Sequence, residues 1–509
     1  MQPVRTLASL DEGKPRIVEI GDVKVLLVRD GDLVHAFSAT CPHAGAPLAE
    51  GAVCEGRIIC PWHKASFRLH DGALLEPPAL DPLTRYPVRV EDGVVLVSPE
   101  PIAAPAPPRA DDPRTMLIVG AGAAGIAAAC ALREFGFSGR IVLLGQEPGD
   151  AYDRTALSKF VLQGAMPPDE TPPLRQPDFY ATHRIERLHG EAHALDRAAR
   201  RLTLADGTSL DYDRILIATG GVPRRLQVPG GDLAGVHTLR SREDARAILA
   251  TMHDTPGQVV IAGASFIGLE AASALREQDV AVIVVSPDET PFAAQFGRRI
   301  GTMFRGLHEE HGVRFVGGRR VARIEGTDRV TGVVLDDGSR IDTTLVLVGL
   351  GITPATGFAK GLDTTDDGGI VVDAGMRAAG DVFAAGDLAR FPFDGHANVR
   401  VEHWRVAQQQ ARIAAAGMLG RDAGPHPMPF FWTYHYGKRY EYLGLPQVPG
   451  QAPLDDVQVD GDLDAGEFLA RLMRDGRVVG IVACGREAET ASISAQPNLF
   501  AASRHDPTA

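Results

Sequence analysis

Apolar residues between positions 1 and 99 come in short runs. Stretches 23–28, 33–38, 57–60, 66–69, 88–90 and 94–97 are rich in β-branched and other apolar residues, and turns such as Asp30-Gly31, Asp71-Gly72 and Asp92-Gly93 separate them. This pattern predicts a small all-β domain. Residues 100–113 break it with Pro101, Pro105, Pro107, Pro108 and Pro113, the composition of an extended linker spanning up to ~3.1 Å per residue. From Thr115 onward strand-like and helix-like segments alternate, which predicts parallel sheet. Two strand–glycine turn–helix units stand out, at 116–145 and 258–286. From about Met428 an aromatic cluster, Phe430-Phe431-Trp432 with Tyr434, precedes strand-like runs at 468–473 and 478–483, read as a third α/β domain.

Stretch 115–132 carries no charge over 18 residues, long enough to suggest a membrane span. It is interrupted by Gly120, Gly122 and Gly125 and rich in alanine, so a strand–turn–helix is the better reading and no membrane insertion is expected. The chain of 509 residues has 52 basic and 65 acidic side chains and a net charge of -13, which disfavours nucleic acid and anionic membrane surfaces. Five cysteines are too few for a disulfide framework. The first residues have no apolar core of signal-peptide type, and a cytoplasmic location is expected.

The first domain holds Cys41-Pro-His43, then sixteen residues, then Cys60-Pro-Trp-His63. A Cys2His2 zinc site is the simple alternative. Zinc fingers, however, pair Cys with Cys and His with His. Here each loop supplies one thiolate and one imidazole, the distribution a Rieske [2Fe-2S] cluster requires, with two thiolates on one iron and two imidazoles on the other. Cys41, His43, Cys60 and His63 are the expected ligands, in a domain that resembles Rieske ferredoxins. High-potential members carry two further cysteines and a serine in these loops. The matching positions here are Ala46, Trp62 and Ala65, so a low-potential cluster within reach of NAD(P)H is expected.

Two dinucleotide sites are expected next. Stretch 116–119 runs into Gly120-Ala-Gly122-Ala-Ala-Gly125 and a helix to about Phe135; the strand 140–144 leads to Glu147, 22 residues after Gly125. The glycines admit a pyrophosphate at the helix N-terminus, and Glu147 is placed to accept from a ribose hydroxyl. Ala218-Thr219-Gly220, after strand 214–217, and Gly386-Asp387, after 381–385, assign this site to FAD. Their separation implies an FAD domain in two parts, 114–237 and 365–427, around an inserted NAD(P) domain at 238–364, with a C-terminal domain at 428–509 after the Rieske domain (1–99) and its linker. The second unit, Gly263-Ala-Ser265-Phe-Ile-Gly268-Leu-Glu270, has serine as its middle residue, small enough for the turn. Ser286 stands where an NAD-specific site usually has an acid, with Asp288, Glu289, Arg298 and Arg299 nearby; NADH and NADPH both stay open, with a lean to NADH.

From Thr115 onward the chain resembles the apoptosis-inducing-factor-like and ferredoxin reductase flavoproteins, and the Rieske fusion resembles the Rieske-fused subgroup. The matching stretches are Tyr152-Asp-Arg-Thr-Ala-Leu-Ser-Lys159, Gly263–Glu270, Gly349–Gly357, Phe383-Ala-Ala-Gly-Asp387, Glu402-His-Trp404 and Pro429-Phe-Phe-Trp432. The resemblance implies a lysine beside the flavin, Lys159, paired with Glu270 on the NAD-domain helix. It also implies flavin contacts from Arg154, Trp432 and Trp404. The expected activity is NAD(P)H-dependent reduction of FAD, then of the Rieske cluster, then of a redox protein or oxygenase, by a monomer or homodimer. Two alternatives are a disulfide or peroxide reductase, for which 152–159 lacks a cysteine, and a redox-sensing interaction protein.

Overall fold

The computed structural model describes residues 1–103, 111–422, 424–445 and 451–496. Pro105, Pro107 and Pro108 of the expected linker lie outside the described residues.

The N-terminal region is all-β. Arg16–Ile20, Val23–Asp30 and Leu33–Ser38 form one antiparallel sheet, and Gln2–Thr6 pairs with Val94–Val97 beside Val88–Glu91. A third sheet, Ala52–Cys54, Arg57–Ile59, Ser66–Arg68 and Leu74–Glu76, carries the second Cys-His loop between its second and third strands. The hydrophobic pattern misses Gln2–Thr6, Arg16–Ile20, Ala52–Cys54 and Leu74–Glu76. The first of these has no buried residue and the last two are three residues long, so they carry little alternation to read.

The uncharged stretch resolves into strand Thr115–Val119 and helix Ala123–Glu134, which is buried through Arg133 and packs against helix Trp404–Met418. Its lack of charge reflects burial inside the protein. No helix among the described residues is long and apolar enough to cross a membrane. The strand sits in a six-stranded sheet ordered Ile185–His189, Arg140–Gly145, Thr115–Val119, Arg214–Ile217, Val382–Ala384, Arg377–Ala379, parallel except at the last pair. Val382–Ala384 therefore joins a sheet whose other parallel strands end before residue 218.

A second, wholly parallel sheet lies between these segments in sequence: Val236–His237, Leu345–Val348, Val259–Ala262, Val282–Val285, Arg314–Val316. The two chain crossings between the sheets pair with each other, Gly221–Pro223 against Ile352–Pro354.

The C-terminal region differs from the α/β pattern expected for it. Phe430–His435, Lys438–Gly444, Arg477–Cys484, Glu467–Arg474 and Asp456–Asp462 make one antiparallel sheet in that order, followed by the short helix Glu487–Ser494. The reason is local. Tyr436-Gly437 and Asp475-Gly476 are tight left-handed turns, and a tight hairpin can join only antiparallel strands.

Candidate functional site

The two Cys-His loops share one backbone frame. In the first, Cys41 N–H donates to Ala46 O (2.8 Å) and Gly45 N–H to Cys41 O (3.0 Å). In the second, Cys60 N–H donates to Ala65 O (2.9 Å) and Lys64 N–H to Cys60 O (3.2 Å). The turns aim backbone N–H groups at sulfur, from His43 and Ala44 toward Cys41 and from His63 and Trp62 toward Cys60. The two sulfurs hydrogen-bond to each other, which lowers the pKa of the Cys60 thiol and raises that of Cys41. The two imidazoles meet with Nδ1 atoms 3.1 Å apart. Burial lowers the pKa of both, which keeps them in the neutral, metal-ligating form. Among the described residues no three His, Cys, Asp or Glu side chains converge where one ion could be held. Thiols paired with each other and imidazoles paired with each other fit a two-iron cluster and not a single zinc. No disulfide forms among the described cysteines.

The glycine turns also repeat one frame. A Cβ on Gly120 would lie 2.2 Å from Ala218 O and one on Gly125 1.8 Å from Gly120 O, whereas one on Gly122 would meet nothing within 4 Å. The open side at Gly122, at the N-terminus of helix Ala123–Glu134, leaves room for an anionic group to approach the backbone N–H groups there. In the second unit Gly263 and Gly268 are closed in the same way, by Gly349 O and Gly263 O, each 2.4 Å from the added Cβ. Ser265, in place of the middle glycine, is the N-cap of helix Phe266–Arg276, its Oγ accepting from Gly268 N–H at 3.2 Å. Serine is a preferred N-cap, a signal the sequence carries but the motif comparison passes over.

Between the sheets lies a cavity of about 450 Å³. Its wall takes Arg154, Lys159, Ser265, Glu270, Asp387 and Trp432 from the expected site, together with Trp404, His43 and His63. The turn residues Gly120, Gly122, Gly125, Gly263 and Gly268 do not line it, nor do Glu147, Ala218, Thr219, Gly220 or Gly386. Glu147 instead accepts from Tyr152 OH (2.7 Å) and pairs with Arg154. Thr219 Oγ1 donates to Ala355 O (2.7 Å), tying the two crossings together. Gly386 N–H donates to Gln410 (2.7 Å), and Asp387 pairs with Arg240 (3.3 Å).

Lys159 sits on the π-helical turn Leu157–Val161, a local irregularity common at functional sites. Its Nζ is 3.0 Å from Glu270 Oε2, and both side chains are buried. Ser158 Oγ donates to the same oxygen (2.5 Å) and Thr433 Oγ1 to Oε1 (2.7 Å). Ser158 and Thr433 are candidate site residues that sequence reasoning missed. So is His403, which lines the cavity and which burial holds down to about 3.

Trp432 joins the two halves of the site. Lys159 Nζ lies 4.8 Å from the centre of its ring, and His63 meets it edge to face at 4.7 Å. The N-terminal region is held in this position by several bonds. Arg405 donates to Glu76 (2.5 Å), Pro77 O (2.8 Å) and Lys64 O (3.0 Å), and Lys64 pairs with Glu441 at 2.9 Å in a buried contact. Ala52 and Ile59 pack on Ala491 and Ala495 of the C-terminal segment.

Residues 114–411 match the pyridine nucleotide-disulphide oxidoreductase family, and residues 1–87 match the Rieske [2Fe-2S] domain. The chain belongs to the pyridine nucleotide-disulphide oxidoreductases. It is a member with a Rieske domain at its front, and FAD and a [2Fe-2S] cluster are its cofactors. Apoptosis-inducing factor 3 of Homo sapiens is 34% identical over 496 residues, 93% of this chain and 80% of that protein. The biphenyl dioxygenase system ferredoxin–NAD(+) reductase component of Paraburkholderia xenovorans is 37% identical over 380 residues, 74% of this chain and 91% of that protein. Among solved structures, the covalent putidaredoxin reductase–putidaredoxin complex matches with TM-score 0.70 and 30% identity, over 77% of this chain and 97% of that one. The ferredoxin reductase of the CYP199A2 system from Rhodopseudomonas palustris matches with TM-score 0.69 and 34% identity, over 74% and 92%. Of the cysteines outside the Rieske loops, none lines the cavity. Cys130 is buried and accepts from Arg175 Nε at 3.3 Å, and Cys484 is buried in the C-terminal sheet. A dithiol mechanism at this site has no thiol to use.

Proposed function

We propose that this oxidoreductase takes a hydride from NAD(P)H in the 450 Å³ cavity and delivers the electrons singly to its own Rieske cluster, which passes them to an external redox protein or oxygenase. The observation that carries this reading is the sharing of one wall. His43 and His63 border the same cavity as Lys159, Glu270 and Trp432. A bound flavin supplies the conversion between two-electron and one-electron transfer. The residues then divide the remaining work. Gly120, Gly122 and Gly125 receive the pyrophosphate, Glu147 the ribose, and Ala218, Thr219, Gly220, Gly386 and Asp387 the middle of the cofactor. Lys159, anchored by Glu270, holds a positive charge where negative charge builds on reduction. Arg154, Trp404 and Trp432 border the ring. Gly263, Ser265 and Gly268 receive the coenzyme, and Cys41, Cys60, His43 and His63 hold the iron.

The same reading divides the chain into a Rieske domain (1–99), a linker (100–113), an FAD domain in two parts (114–237 and 365–427), an NAD(P) domain (238–364) and a C-terminal domain (428–509). The C-terminal domain serves as a reductase domain by presenting Trp432 to both cofactors. NADH is the favoured coenzyme. Ser286 is buried and its Oγ accepts from Asp288 N–H (3.2 Å), so it is not free to meet a 2′-phosphate, and Arg298 and Arg299 both lie exposed.

Anaerobic titration with NADH and, separately, NADPH tests this, following flavin absorbance and the EPR signal of the reduced Rieske centre together. The expected result is bleaching by NADH followed by the EPR signal. Bleaching with a cluster that stays oxidised overturns the internal route and favours a redox-sensing protein.

A further inference from the structure

The second Cys-His loop encloses a charge that the first does not. Lys64 follows His63 and is fully buried, and its Nζ has three acceptors: Pro61 O, Glu441 Oε1 (2.9 Å) and Glu487 O (3.3 Å). An ammonium group has three N–H donors and no acceptor, so this set fits the charged form. Glu441 is ringed by donors in turn. Thr490 Oγ1 donates to its Oε2 (2.5 Å), and Arg439 Nε lies 3.5 Å from Oε1. Pro61 lies inside the turn, between Cys60 and His63, so Lys64 stands between that turn and Glu441. The pair turns its positive end to the loop.

Fastening the Rieske domain does not by itself call for a cation here. Arg405 already holds Glu76, Pro77 O and Lys64 O, Gln409 donates to Glu76 (3.1 Å), and Arg412 donates to Leu74 O (3.0 Å). A buried ion pair adds little stability over an apolar pair of similar size. The backbone at Lys64, with φ 59°, suits glycine, and the sister loop has Gly45 at the same place.

The charge does bear on the expected ligands. The Cys41 bond lowers the Cys60 pKa most and burial that of His63, and the Lys64 charge pulls both down further. It therefore favours the thiolate and opposes a proton on the imidazole. Reduction of a [2Fe-2S] cluster adds one negative charge spread over iron and sulfur. A fixed cation nearby, shielded from water, stabilises that added charge.

We infer that Lys64 raises the reduction potential of the Rieske cluster, and that Glu441 of the C-terminal sheet holds the lysine charged and in place. The inference rests on the ligand assignment proposed above. Lys64 acts through Cys60 and His63, so it is a positioning residue for charge and touches no substrate. It offsets Ala46, Trp62 and Ala65, which leave the loops without the features of a high-potential centre. Two other cations border the second loop, Arg439 over the Trp62 ring (5.8 Å) and Arg405 at Lys64 O, and both stay unchanged in the variants below.

The test is a redox titration of the full-length holoprotein with dithionite and mediator dyes, followed by the Rieske EPR signal. Lys64→Met with Glu441→Leu, and Lys64→Gln with Glu441→Gln, each remove both charges and strand neither. Gln409→Ala cuts a bond across the same interface without touching a charge. The expected result is a midpoint potential lower by about 59 mV or more in both double variants, a tenfold shift for one electron, and the wild-type potential in Gln409→Ala. The potential is read at equilibrium, so slower electron transfer does not mimic the effect. A wild-type potential in either double variant overturns the inference. An equal fall in Gln409→Ala overturns it by assigning the effect to docking. A cluster missing from both double variants overturns it by making Lys64 a requirement for assembly. A dithionite-reduced wild-type protein without a Rieske signal overturns the ligand assignment itself.

Discussion

The loops Cys41–Ala46 and Cys60–Ala65 have the same hydrogen-bonding frame and opposite surroundings. The fifth residue of each takes a left-handed backbone, Gly45 with φ 76° and Lys64 with φ 59°. Gly45 is exposed, and a Cβ there would meet nothing within 4 Å. Lys64 is fully buried, pairs with Glu441 at 2.9 Å, donates to Glu487 O at 3.3 Å and also bonds Pro61 O. A lysine in this conformation costs about 1–2 kcal/mol that a glycine would not. The backbone therefore explains the residue in the first loop and not in the second. What explains Lys64 is the partner surface. Glu441 is itself gripped by Thr490 Oγ1 at 2.5 Å and approached by Arg439 at 3.5 Å. On the proposed ligand assignment both loops hold iron, and the second also fastens the Rieske domain to the C-terminal sheet beside the cavity.

The largest effect should come where the loops are alike. Cys41→Ala and Cys60→Ala should each abolish the Rieske EPR signal while the flavin still bleaches with NADH, because each removes one of the two thiolates. A cluster signal that survives either change breaks the ligand assignment.

The next effect should separate them. Glu441→Ala strands the buried Lys64 charge and should destabilise the protein by about 3–5 kcal/mol, read by chemical denaturation, and slow reduction of the cluster by the flavin. The double change Lys64→Met with Glu441→Leu leaves no unpaired charge and should recover most of that stability. Its rate of cluster reduction then tells whether the ion pair sets the position of the Rieske domain. A wild-type rate would show that Arg405, Glu76 and the Ala52, Ile59, Ala491, Ala495 contact hold the dock without it.

How much of this the sequence discloses depends on distance along the chain. The candidate ligand set is legible because Cys41-Pro-His43 and Cys60-Pro-Trp-His63 each sit in one turn. Strands 33–38, 94–97, 214–217 and 259–262 have the expected bounds, since each is an uninterrupted apolar or alternating run. Lys159 and Glu270 come from the family resemblance, because their pairing spans 111 residues and no local pattern encodes it. Thr433 lies 163 residues from Glu270, and Lys64 lies 377 residues from Glu441. One signal was available. Phe431, Thr433 and His435 alternate along one strand and share a face, so a threonine and a histidine at inward positions mark a buried polar pair. For Lys64 the signal is weaker still, a lysine where the sister loop has glycine, which acquires meaning only once the C-terminal sheet is seen to cover it.

The smallest effect tests the backbone side of the comparison alone. Gly45→Ala adds a methyl group to open space, so its only cost is the left-handed conformation, about 1–2 kcal/mol. Gly45→Asn should cost less, because a short polar side chain tolerates that region. Denaturation curves of the two variants order them, and the cluster spectrum should be unchanged in both. A Gly45→Ala loss well above this range would mean that the exposed loop, like its buried counterpart, bears on more than its own turn. The natural place to look would then be His43, two residues before it, whose Nδ1 lies 3.1 Å from that of His63.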